Sequence, residues 1–408
     1  MKKFYFSVAM ASMLALGCTA CSDDNNKGIN EPNTQVPGQP QEEGVLTLEG
    51  SGANKLYQLL TKADPVKQCM SRQSVHITEE QFAEIAAFTA KLTDGSASAT
   101  NKYRRIFNWV SEHIKYDHQG GHSQDPYDVF VNKLAICQGF SNLMKVMLLS
   151  QEIPAILVNG FLESTGGAHA WVYCYADGKW IVSDPTNKYD SPDAKKVADY
   201  EHVLNPVMAE IQFEQDGFVC DFNGANFNLA SIKKEEASVT IPDQVCGITV
   251  SGFIPQKDLP ASITEINLGN HVVSLGSKEM GNILLTEHGK NLKSVLVGPA
   301  NMALEVYGGA VYQKLDDSNL PYFVPPMVEE LRLKPLQKLE KGTVFGFSRL
   351  KHLFIADGVK EIEPYAVEQC DALEVIQLPA SFDMSTLPKD AFAVPETCKI
   401  VTGQLVKR

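Results

Sequence analysis

Three residues of this chain have the types and the order from which a thiol-based acyl transfer can be built. Cys137 opens the helix-like part of "LAICQGFSNLMKVML" (Leu134 to Leu148), His169 starts "HAWVYCY", and Asp184 ends "KWIVSD" just before Pro185. Such chemistry needs a thiolate, a base to generate it and a group that holds the base. After Cys137 the pattern is helical: Phe140, Leu143, Met144, Met147 and Leu148 recur on one apolar face, and Pro154 limits the run. Cys137 therefore falls in a helix's first turn, where unpaired N–H groups and the macrodipole favour an anion. A structural cysteine would sit more comfortably on the apolar face, beside Phe140.

Strand register connects the other two. "HAWVYCY" and "KWIVSD" are rich in β-formers and flank "ADGK", in which Asp177-Gly178 is a strong hairpin turn. With Tyr175 and Trp180 closing that turn, Asp184 comes opposite Trp171. His169 shares a face with Trp171, so His169 and Asp184 are diagonal neighbours, roughly 7–8 Å apart at the backbone and within side-chain reach. Gly166 and Gly167 leave the histidine accessible.

The elements around these residues follow from the same patterns. "ITEEQFAEIAAFTAKL" carries Thr78 and Gln81 as a capping box, with Phe82, Ile85, Ala86 and Thr89 at helical spacing. "NKYRRIFNWVSEHIKYD" places Tyr103, Phe107, Val110 and Ile114 on one face of a second helix, and "AILVNGFL" reads as a strand. Helices followed by strands in blocks imply an α+β domain.

In this order the motifs resemble the transglutaminase-like superfamily, which shares a papain-like core. There the cysteine opens a helix, the histidine begins a strand in an H-A-W context, and the aspartate stands in a D-P-T turn. "CQGFSNLMKVML" and "HAWVYCYADGKWIVSDPT" match all three, and "FNWVSEHIKYD" resembles the helix before the catalytic segment. The resemblance spans about residues 78 to 190. It implies attack by Cys137 on a carbonyl and an acyl-enzyme passed to water or an amine, with His169 shuttling the proton and Asp184 orienting it. The Cys137 N–H is one expected oxyanion donor; Gln138 is the candidate for the second, with Trp109 and Tyr116 as alternatives. No cofactor is implied, and no acidic calcium loop of the animal enzymes is visible. His113, His118 and His122 lie close together, but their mixed spacing in and beside a polar loop reads as solvated side chains and not as a metal site.

Beyond about residue 235 short strand-like units replace this pattern. "ITEINL", "LKSVLV", "VEELRL", "LKHLFI" and "LEVIQL" are copies of one another, and aligning Leu333, Ile355 and Leu378 gives steps of 22 and 23 residues, a leucine-rich-repeat period. "GTVFGFSR" and "PYAVEQCDA" resemble units of BspA-like leucine-rich repeats, and "GGAVYQKLDDSNLPYFVPP" resembles that family's hairpin insertion. The expected fold is an α+β papain/transglutaminase-like domain followed by a β-rich leucine-rich-repeat solenoid. The expected boundaries are 1–20 for a lipoprotein signal peptide, 21–47 for a tether, 48–235 for the first domain and 236–403 for the repeats. Residues 191–238 either complete the first domain's sheet or bridge to the repeats.

The first residues, "MKKFYFSVAMASMLALGCTAC", combine a basic start, an apolar stretch shorter than a bilayer span and small residues before cysteine. This resembles a bacterial lipobox, with Cys21 as the lipidated residue and Cys18 as the alternative. A polar, Pro- and Asn-rich segment unable to bury a core follows. "CSDD" favours the cell surface of the outer membrane; a periplasm-facing anchor is the alternative. Seven further cysteines form no disulfide framework or zinc spacing. A formal net charge of -13 repels phosphate backbones, so nucleic acid is not an expected partner. The membrane is reached through a lipid anchor alone. What remains is a cysteine acyl-transfer domain acting on a protein or peptide, most simply a peptidase or amide hydrolase, with repeats binding a protein partner. A transglutaminase, a deamidase and a catalytically silent adhesion protein are the alternatives.

Overall fold

The computed structural model describes residues 52–63, 65–72, 75–163, 165–191, 204–276 and 284–403. The expected leader, Cys18, Cys21 and the tether lie outside the described residues.

Capping chemistry starts the helices. α1 spans Gly52–Ala63. Thr78 accepts from Gln81 N at 3.3 Å while Gln81 Oε1 accepts from Thr78 N at 3.0 Å, the reciprocal cap expected at the head of α2 (Glu79–Leu92). Ser98 caps α3 (Ala99–His113), and Asp177 in the hairpin turn reinforces it by accepting from Ala99 N and Thr100 N at 3.2 and 3.0 Å. α3 is shorter than the sequence pattern suggests. Ile114 turns extended, and Lys115–Tyr116 becomes β1, paired in parallel with β2 (Leu134–Ala135). The sequence does not announce α4 (Pro126–Asn132), which has proline in its first turn and ends at Lys133 in the left-handed conformation.

At the centre lies α5 (Cys137–Leu149), buried along its whole length except at Gln138. It packs on a five-stranded antiparallel sheet of β3 (Ala155–Leu162), β4 (Ala168–Ala176), β5 (Lys179–Asp184), β6 (Tyr189–Ser191) and β7 (Leu204–Ala209), in the order β6-β5-β4-β3-β7. Strand alternation sorts the two faces. Leu157, Val172, Cys174 and Ile181 meet α2, α3 and α5, whereas Ile156, Val158, Trp171, Tyr173 and Val182 meet α1 and the chain that follows. Tyr175 pairs with Trp180 and Val172 with Ser183, the register that the Asp177-Gly178 turn predicts.

Both alternatives for residues 191–238 are realised within the described part. β7 completes the first sheet, and β8 (Gln212–Gln215), β9 (Phe218–Phe222) and β10 (Phe227–Ile232) begin another, in which β10 pairs in parallel with Ile248–Phe253. That second sheet therefore joins residues on either side of position 235.

A β-solenoid segment follows. The strands Ser238–Thr240, Glu265–Asn267 and Ser294–Leu296 stack in parallel, as do Glu330–Arg332, His352–Phe354, Val375–Leu378 and Lys399–Thr402. Leu331, Leu353 and Ile376 are partners in the second ladder, in agreement with the steps of 22 and 23. Between the ladders stands a hairpin, Leu304–Tyr307 with Ala310–Gln313, turned by Gly308 and Gly309 at φ 58° and 93°. Val311 belongs to a hydrophobic cluster that extends back through Val295, Ile266 and Phe222 to Trp171 and Leu56. Its neighbours Ala310 and Tyr312 belong to a second cluster, with Leu331, Leu353 and Ile376. No described helix is long and apolar enough to cross a membrane.

The close approach of β3 and β7 depends on Gly160. A Cβ there would lie 2.0 Å from the Asn205 carbonyl oxygen and 2.8 Å from its carbon, both backbone atoms that cannot turn aside. Gly160→Ala is expected to cost about 1–3 kcal/mol, read as a lower midpoint in urea unfolding with the slope preserved.

Candidate active site

Asp184 has no exposed surface, and its carboxylate is fully engaged. Oδ1 accepts from Thr186 N at 3.1 Å and Asn187 N at 3.3 Å; Oδ2 accepts from Asn187 Nδ2 at 2.8 Å and from His169 Nε2 at 2.8 Å. The D-P-T turn thus wraps its own backbone around the acid, and Asn187, which the motif does not reveal, adds a side-chain donor. With Nε2 committed to a carboxylate, the neutral imidazole carries its proton there, which leaves Nδ1 for a thiol. The Cys137 thiol lies beside this ring, close enough to raise its pKa. Cys137 and His169 are 9% and 7% exposed, so the pair is nearly dry yet reachable.

The pull on the imidazole is a balance. Burial disfavours its charged form, but the Asp184 hydrogen bond, the contact with Cys137 and the charges of both outweigh it and raise the His169 pKa to about 9. Neighbouring contacts hold the strands in place: Tyr103 of α3 donates to Ser183 at 2.9 Å, and Ser183 contacts Met144 Sδ of α5 at 3.6 Å.

Cys137 is placed by a contact that nothing in the sequence pattern advertises. Gln124 Oε1 accepts from Ile136 N and Gly139 N, both at 3.0 Å, and its Nε2 donates to His122 O at 2.9 Å. The Gln124 carbonyl takes Asn142 Nδ2 at 2.8 Å. A side chain from the preceding loop therefore caps α5, and Gly139 is required: a Cβ would lie 2.5 Å from Gln124 Oε1 and 2.7 Å from Ala135 Cβ. The Cys137 N–H, by contrast, has no described hydrogen-bond partner and points out of the helix end.

The expected oxyanion residues are dispersed. Gln138 lies in the first turn beside Cys137, but its amide Nε2 donates to Asn142 Oδ1 at 2.9 Å, along the helix. Trp109 is occupied elsewhere, with ring centroids 4.8 Å from Phe88 and 5.1 Å from His113. Tyr116 is brought to α5, its ring 6.5 Å from Phe140. The three histidines have separate partners: His113 Nδ1 meets Trp109 O, His118 lies against Tyr116, and His122 Nδ1 pairs with Asp117 Oδ2 at 2.7 Å. No metal-binding group of His, Cys, Asp and Glu side chains occurs among the described residues.

Two outcomes follow from this geometry. Asp184→Asn keeps the shape and removes the charge, so His169 should titrate well below about 9 and the alkaline limb of the pH–rate profile should move down with it. Because the folded-state value is raised, the stability that His169 contributes is complete below the free imidazole's pKa of about 6.5 and is lost as pH climbs through about 9; the variant should lack that dependence in pH-resolved urea melts. Gln124→Ala strips Ile136 N of its acceptor and leaves Gly139 N with only the Ile136 carbonyl. It is expected to cost about 1–3 kcal/mol and to slow alkylation of Cys137 by iodoacetamide.

Comparisons with known proteins place the span that holds these residues. A family model described as the transglutaminase-like superfamily matches residues 86–185, a span that contains Cys137, His169 and Asp184. Kyphoscoliosis peptidase of Mus musculus is 25% identical over 104 residues, covering 22% of this chain and 16% of that protein. Its Homo sapiens counterpart is 22% identical over 144 residues, covering 28% of this chain and 22% of that protein. The chain thus spans less than a quarter of the length of the curated relatives it matches. Among solved structures, the periplasmic domain of TgpA from Pseudomonas aeruginosa bound to ethylmercury shares 18% identity, with 31% of this chain and 49% of that one covered and a TM-score of 0.26. Residues 86–185 thus match the transglutaminase-like superfamily, and a β-solenoid segment follows them in the chain.

Proposed function

We propose that this domain is a cysteine acyl-transfer enzyme acting on protein amide bonds, and most simply a peptidase or amide hydrolase. The observation that carries the reading is the set at the head of α5: a thiol beside an imidazole, the imidazole on a buried, saturated carboxylate, and at the sulfur's own residue an N–H with no hydrogen-bond partner among the described residues. In this reading Cys137 gives its proton to His169 Nδ1 and attacks the amide carbon. The C–S bond forms, the carbonyl electron pair moves to oxygen, and the Cys137 N–H receives that charge. On collapse the C–N bond breaks and the His169 imidazolium protonates the leaving amine. Water, activated by the same imidazole, then releases the acid.

The solenoid is assigned the binding of a protein partner, since its stacked strands present a continuous outer surface. The leader motif supports lipidation at Cys21, or at Cys18, and a place on the outer membrane, at the cell surface or facing the periplasm. The curated relatives are peptidases by name, which favours hydrolysis over amine transfer.

The test uses the chain without its leader, beside Cys137→Ala, incubated with unfolded proteins and a labelled primary amine and read by mass spectrometry. New peptide termini found only with the intact cysteine are the expected result. Label on glutamine would reassign the domain as a transglutaminase, and glutamine converted to glutamate as a deamidase. Identical products from both proteins would leave a binding scaffold.

A further inference from the structure

We propose that the cleft between the first and second sheets binds a small organic cation, a primary ammonium that carries amide groups. The inference stands apart from the acyl-transfer reading, because Lys145 on the cleft wall lies about two turns along α5 from Cys137.

The edge strand of the first sheet, β7, leads through Glu210 and Ile211 into β8, the edge strand of the second. A cavity of about 390 Å³ opens at that seam, within the roughly 300–1,000 Å³ of small-molecule pockets. Ile156 and Ala209 line it from the first sheet, and Cys69 lines it from the short helix Val66–Met70. Lys145, Glu210, Gln212, Asp221 and Gln256 give it charge and hydrogen-bonding groups.

Strand register places the acid. Gln212 and Asp221 are partners across β8 and β9, and the next pair, Phe213 with Cys220, enters the hydrophobic core, so Gln212 and Asp221 share the opposite face. Gln256 joins them, held by its own N–H on the Ala230 carbonyl at 2.9 Å. Asp221 Oδ1 accepts from Gln212 Nε2 at 3.1 Å, and Oδ2 accepts from Gln256 Nε2. Both amides are thus committed through nitrogen. Their Oε1 atoms accept from no described residue and add two acceptors beside the carboxylate.

Charge then selects the ligand. Lys145 is 2% exposed and pairs with Glu210 at 2.9 Å, so these two charges offset each other. Asp221 forms no ion pair with a described residue, and burial holds its carboxyl above the usual carboxylate range although the two amides pull it down. One negative charge is left over in a cleft rich in acceptors. An anion is repelled there, and no described set of His, Cys, Asp and Glu side chains is grouped to hold a metal ion. A primary ammonium brings one positive charge and three N–H donors, which match Asp221 and the two amide oxygens. Gln68, exposed at the edge of the cavity, both donates and accepts and so suits an adjoining amide.

The test titrates alanyl-alaninamide, one ammonium with two amides, into the whole chain by calorimetry. The chain carries Cys137→Ala, so the probe is not turned over. N-acetyl-alanyl-alaninamide, which lacks the charge, and the further variant Asp221→Asn are measured in parallel. Asparagine keeps the shape of the side chain, so the unliganded unfolding midpoint is retained, and the acetylated probe makes the same test on an unaltered cavity. The expected result is saturable binding of one alanyl-alaninamide per chain, weakened about tenfold or more by acetylation and by Asp221→Asn alike. No saturable binding overturns the proposal, as does equal binding of the two probes. Undiminished affinity in Asp221→Asn overturns it too, since the probe would then sit elsewhere.

Discussion

A carboxylate with no exposed surface is the constraint around which this domain is arranged. An ionised acid removed from water is tolerated only when hydrogen bonds replace its hydration. Asp184 obtains them from the two backbone N–H groups and one side chain of the turn that follows it, and from the imidazole of His169. The first three form within a few residues of chain. The fourth requires β4 and β5 to pair in one register, since a slip of one residue would turn His169 to the opposite face. The hairpin turn that sets the register also caps α3 through Asp177. One local turn thereby fixes the register of the acid and the base and the start of α3.

The nucleophile is held by a different means. α5 is buried nearly all round, and its first turn needs acceptors that it cannot supply itself. Gln124 provides them from a loop that is anchored by Asp117, which accepts from Gln119 N, Gly120 N and His122. The loop thus closes the helix end at Ile136 and Gly139 while leaving the Cys137 N–H open. Structural satisfaction and chemical availability are divided between successive residues of one turn.

What could be read from the sequence and what could not divide along the range of the interactions. Cys137, His169 and Asp184 were legible because helix periodicity, an Asp-Gly turn and a two-residue strand period are local rules, and the geometry brings the three together. Gln124 was not legible: in a run of polar loop residues nothing marks the one that folds back onto a helix start. The end of α3 misled for a related reason. Ile114 continues the helical face in the pattern, but pairing of Lys115–Tyr116 with Leu134–Ala135 makes it extended. β8 to β10 were ambiguous because the partner that completes their sheet, Ile248–Phe253, lies beyond the point where the texture of the chain changes. In the solenoid the later repeats kept a regular step and could be aligned, whereas the earlier strands are spaced unevenly around the inserted hairpin.

The alternation of the strand Ala310–Gln313 between two hydrophobic clusters has a consequence for how this protein can vary. Val311 closes a core shared with the sheet beneath His169, and Ala310 and Tyr312 open the core of the later repeats. In a stacked array each coil depends chiefly on its neighbours. Coils beyond the hairpin can therefore fray, be duplicated or be lost with little strain on the first domain. The coils before it cannot, because removing them would open the hydrophobic cluster that continues through the second sheet to Trp171 and Leu56. The seam along which the chain is modular runs through the hairpin and not where the repeats begin.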